Sequence, residues 1–170
     1  MIQVEKVKSF LIAPFVLMKW SVVFYFTHWF ILCLGLIPSF VRGYQKYTGS
    51  HDFEWIVWIG RLLFLIWVIK TGIKEKEKIN WGEIHWQDFA IGLLHAIWSY
   101  IFIQYIIFNY VNRLFSFIIT ESSMTMILNT IGLVTIIDAS GLTASILFFL
   151  KNTIVIPLYL IALLRIIKVI

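Results

Sequence analysis

Arg61 stands at the centre of Trp55 to Ile69, a stretch that is otherwise almost unbroken apolar sequence. A guanidinium in such a place needs an anion, carbonyls or a water-filled cavity around it. Asp138 is the acid expected at similar depth. At 1.5 Å per residue, Arg61 lies about 10 Å below one boundary, and Asp138 about 15 Å if a span begins near Leu128. Opposite charges at one level can neutralise each other where neither could stay alone. Such a pair would fix a helix bundle or line an ion or proton path. Asp138 also precedes Ser140-Gly141 closely, which suits a helix cap facing no arginine.

A second constellation is His28 with His95. Counted from Trp20 and Phe89, they lie at about 12 and 9 Å depth, nearly level. Level histidines on two helices suit bis-histidine ligation of a haem b. The simpler reading is two partly buried histidines bonded to neighbouring Tyr or Ser. The helix that carries His95 is polar for a lipid-facing one, with Ser99, Gln104 and Asn109 following. His95 and Ser99 are four apart and share a face. Gly92, Ala96 and Ser99 allow a neighbouring helix to approach closely. No P-loop, HExxH, GxGxxG or paired-carboxylate motif is present. No metal site is expected.

The elements that must position these groups follow from composition. The chain has 170 residues, 61% hydrophobic and 14% charged, against about 25% charged in soluble domains. Its mean hydropathy is +0.90. That predicts an all-α, polytopic transmembrane bundle of about four spans, forming a single integral membrane domain over 1–170. The net charge of +5 fits basic residues at the cytoplasmic ends of spans better than direct contact with nucleic acid. Cys33 is the only cysteine and reads as a small packing residue. The run from Phe10 to Met18 ends in Lys19-Trp20 without a small-x-small cleavage pattern, so it is expected to be retained.

An interfacial helix is predicted over 1–18, with Pro14 breaking or bending the entry to the first span. Spans are predicted over about 20–38, 54–69, 89–111 and 128–150, with 151–170 as an interfacial or kinked helix. An alternative for the last region is a half-span, Met124 to Ile137, followed by a full span, Leu142 to Leu164. The hydrophilic stretch between the second and third spans carries Lys74, Lys76, Lys78, Trp81 and Trp86, a candidate cytoplasmic docking loop. In the four-span reading most lysines and arginines fall on one side. Only Arg42, Lys46 and Arg113 fall on the other. This places both termini in the cytoplasm of a multi-pass cell-membrane protein. The function expected is that of a non-enzymatic subunit that oligomerises or anchors other subunits, as a pore, channel or scaffold of a larger envelope machine. A b-type haem carrier and a small dimeric transporter are the alternatives.

Overall fold

The computed structural model describes residues 2–75 and 86–166. It is all-helical, with no strand among the described residues. Helix α1 (Ile2–Thr27) is followed by α2 (Trp29–Thr48) and α3 (Glu54–Glu75). Then α4 (Trp86–Ile103) passes through a π-helical segment (Gln104–Val111) into α5 (Asn112–Ile118). A short α6 (Glu121–Thr130) precedes α7 (Ala139–Leu150), a second π-helical segment (Lys151–Val155) and α8 (Ile156–Ile166). Among the described residues, three stretches are long and apolar enough to cross a membrane: Glu54–Glu75, Ala96–Thr130 and Ala139–Ile166. A fourth appears if α1 and α2, bent by 87° at His28, are taken as one broken span.

That bend corrects the expected first span over 20–38. His28 has φ −96° and ψ 76°, outside the helical region. The side chains at the break add bonds to backbone carbonyls of the last turn, a competition that bends or ends helices. Thr27 Oγ1 donates to Val23 O at 2.7 Å, and His28 Nδ1 donates to Phe24 O at 2.7 Å. Pro14 stays inside α1 and marks no break.

The expected span over 128–150 is also corrected. Gly132 ends α6 in the left-handed region, at φ +74°. The amide of Gly132 bonds Asn129 O at 3.2 Å, and that of Leu133 bonds Leu128 O at 2.9 Å. This paired pattern is the Schellman helix stop, which favours glycine at its left-handed position. A new helix starts after Asp138 and continues through the second π segment to Ile166. The region expected to be a separate C-terminal helix from 151 is therefore, as far as residue 166, the second half of that helix. The structure lies closer to the alternative of a short segment followed by a full span.

Helix α2 is the hub, packed between α3 and α7. Its buried residues Ile31, Gly35, Pro38, Ser39 and Gly43 recur at helical spacing and form one face. Gly60 of α3 lets Pro38 pack against its backbone, because a Cβ there would lie 3.2 Å from Pro38 Cδ. Gly43 does the same for α7. A Cβ would lie 3.3 Å from Ser145 Oγ and 3.4 Å from Phe149 Cβ, and Ser145 Oγ donates to Gly43 O at 2.7 Å. Pro157 bends the ladder of the last helix. Proline has no N–H, so the carbonyl four residues back loses its helical donor. That carbonyl belongs to Thr153, and the hydroxyl of the fully buried Tyr25 donates to it at 2.7 Å. Gly35 leaves space for this hydroxyl: a Cβ there would stand 2.6 Å from it.

Candidate functional site

The α2–α3 hairpin sets the level of Arg61. Gly49 closes α2 at φ +70°, and the turn returns at Glu54. Arg42 grips Glu54 with both terminal nitrogens, at 2.8 and 2.7 Å. Gln45 Nε2 adds bonds to Glu54 Oε2 at 3.2 Å and to Asp52 O at 2.7 Å. This bidentate pair fixes register as well as charge. Val57, Gly60, Phe64 and Val68 then face inward, and Arg61 stands beside that stripe. It is half-buried, about 10 Å along α3 from Glu54 at 1.5 Å per residue.

The partner of Arg61 is Asn152. Arg61 Nη2 donates to Asn152 Oδ1 at 2.9 Å. The Asn152 amide in turn donates to Phe148 O at 2.8 Å, which fixes its orientation. Asn152 belongs to the second π segment and is 9% exposed. A cavity of about 370 Å³ surrounds the pair, floored by Gly35 and Pro38 of α2. Leu62 and Leu65 of α3 wall one side, and Ile156 and Leu160 of α8 the other. Trp58 and Leu62 are more than half exposed, so the mouth lies on their side. Chemically this is an apolar slot with one cation in its wall.

The expected meeting of Arg61 with Asp138 does not occur. Asp138 is the N-cap of α7, and its carboxylate accepts the amides of Ser140 at 3.2 Å and Gly141 at 2.6 Å. The depth estimate assumed a helix running through Gly132. With the helix starting at Ala139 instead, Asp138 belongs to its end, where its carboxylate satisfies orphan amides.

His28 sits at the α1–α2 bend, and its Nε2 lies 3.0 Å from Glu75 Oε1. Both ring nitrogens therefore face protein groups, Phe24 O and Glu75. A metal would need the lone pair of one of them, and Nε2 is the one beside Glu75. The side chain of His95, the other expected haem ligand, lies outside the described residues. Among the described residues, no three His, Cys, Asp or Glu side chains gather as metal ligands.

The polar residues of the third apolar stretch separate. Ser99 is buried at 5% exposure, whereas Gln104 and Asn109 are exposed. Asn109, Asn112, Arg113 and Ser116 line one shallow groove. Of the candidate docking loop, Lys74 is exposed at the end of α3. Lys76, Lys78, Trp81 and the side chain of Trp86 lie outside the described residues.

Sequence reasoning missed Asn152, Glu75 and the Arg42–Glu54 clasp. Asn152 carried a signal, a polar residue beside Lys151 interrupting apolar sequence. Glu75 carried none beyond its place in a charged run. No family model, no curated protein and no solved structure matches this chain.

Proposed function

We propose that this chain is a non-enzymatic integral membrane subunit that assembles with copies of itself or with other subunits, as part of a pore, channel or scaffold. One observation carries the reading. In the apolar window of Ala96–Thr130 only 6% of the residues are buried, against 28% for Glu54–Glu75 and 39% for Ala139–Ile166. The same helix exposes Gln104, Asn109, Arg113 and Ser116. An amide left without a partner in hydrocarbon costs roughly 2–7 kcal/mol. A neighbouring span would supply the missing partners, adding on average about 0.6 kcal/mol per interhelical hydrogen bond and more through packing.

The reading places the chain in a cell membrane, with the Arg42–Glu54 clasp at the outer surface and the Glu75 end inside. It rests on the excess of lysine and arginine assigned to the inner side. A cysteine at Gly49 is then expected to label from outside intact cells, and one at Lys74 is not. Equal labelling of both would contradict that orientation.

The test of assembly is native mass measurement of the protein extracted in a mild detergent. The expected species is a multiple of the chain or a complex with another subunit, and Gln104→Leu with Asn109→Leu shifts it toward the monomer. A monomer under every extraction condition would refute the proposal.

A further inference from the structure

We infer that the cavity around Arg61 is a binding site for an amphiphile with an acidic head, its oxyanion on the Arg61 guanidinium and its chain along the apolar walls. The site shares no residue with the exposed polar face of α4 and α5. An arginine offers five N–H donors. Among the described residues, Arg61 uses one hydrogen bond, to Asn152. Asn152 has turned its own amide donor to Phe148 O, so it orients the guanidinium and leaves the remaining donors for a ligand. No carboxylate of the described residues bonds Arg61; Asp138 and Glu54 are engaged elsewhere. A cation held half-buried in an apolar slot is therefore short of one anion.

The shape defines the rest of the ligand. Among the described residues that line the slot, all but Arg61 and Asn152 are apolar or glycine. About 370 Å³ falls within the roughly 300–1,000 Å³ usual for small-molecule sites. The mouth lies between Trp58 and Leu62, in the middle of a helix apolar enough to cross a membrane, so a chain enters sideways. The head is a carboxylate or a phosphate, since both match the planar fork of arginine. A single-chain acid and an anionic phospholipid present the same chemistry.

Trp58 reports occupancy. The protein is placed in nanodiscs of phosphatidylcholine and titrated with dibromostearate or with brominated phosphatidylglycerol, whose bromines quench tryptophan. The Trp58 component is taken as the difference from Trp58→Phe. Saturable quenching of that component is expected, weakened about tenfold or more in Arg61→Gln, which removes one charge-assisted contact. Dibromostearyl alcohol, which lacks the charge, is expected to bind the unaltered protein about tenfold or more weakly than the acid. This comparison needs no folded variant. Quenching by the acid alone identifies a single-chain ligand; quenching by phosphatidylglycerol alone identifies a headgroup. Quenching that is unsaturable, equal for acid and alcohol, or unchanged in Arg61→Gln overturns the site. So does a protein segment found cross-linked into the slot at Leu62.

Discussion

Helices α2, α3 and α7–α8 on one side, and α4–α5 on the other, meet the same problem differently. In the first group several polar or backbone irregularities have partners inside the chain, although the buried Thr153 hydroxyl has none among the described residues. Pro157 frees a carbonyl and Tyr25 takes it; Ser145 bonds the backbone at Gly43; Arg61 finds Asn152. In the second group Gln104 and Asn109 stand on an exposed surface, along a helix little covered by the rest of the fold. Close approach is the cause of the difference. Gly35, Gly43 and Gly60 all fall where α2 or α3 meets a neighbour, and without a side chain at these points the backbones come near enough for polar groups to reach each other. The contrast teaches that a polar residue in an apolar helix is structural where its own fold answers it, and points outward where it does not.

The contrast can be broken most severely at Gly43. Gly43→Leu would push a side chain into Ser145 and Phe149 of α7. We expect about 3 kcal/mol of destabilisation, the upper end of the ~1–3 kcal/mol typical of overpacking, read by reversible unfolding in mixed micelles. A change under about 0.5 kcal/mol, the scale of a surface substitution, would mean that α2 and α7 are not closely packed. A sharper and smaller effect concerns Arg61. Asn152→Leu is expected to cost about 1–3 kcal/mol by leaving a donor unanswered. In a double-mutant cycle, Arg61→Leu and Asn152→Leu should couple by about 0.5 kcal/mol or more. Asp138→Ala, which removes only a helix cap, is expected to cost about 1 kcal/mol. It should add to Arg61→Leu within about 0.5 kcal/mol. Coupling of Arg61 to Asp138 instead of Asn152 would restore the ion pair that the structure does not form.

Much of the fold was legible in the sequence, and the failures have a common physical form. Class and apolar stretches follow from composition, because 14% charge and runs such as Trp55 to Ile69 suit few other architectures. The need of Arg61 for a partner was legible too. Its identity was not, because depth counted along a helix is only as good as the helix start. Gly132 moved that start, and a glycine in apolar sequence reads equally as a packing residue or a left-handed stop. Once the last helix begins at Ala139, Asp138 becomes a cap and Asn152 comes within reach of Arg61. His28 reads in the sequence as a residue within a straight helix, whereas it stands at a helix break with its ring bonded to the last turn. Local side-chain competition of this kind is invisible to hydropathy, which sees only apolar neighbours on both sides. Gln104 and Asn109 stand out in the sequence as polar residues in an apolar stretch, but their orientation depends on what packs beside them.

The most direct test compares the two regions within one experiment. Photoactivatable groups are attached to cysteines placed at Gln104 and Asn109, and separately at Leu62 and Ile66 on the exposed side of α3, with Cys33 replaced by alanine. Illumination in native membranes records what each position touches. Adducts to protein are expected from Gln104 and Asn109, and adducts to lipid from Leu62 and Ile66. Lipid adducts alone from Gln104 and Asn109, or protein adducts concentrated at Leu62 and Ile66, would contradict the claim that α4 and α5 carry the assembly face.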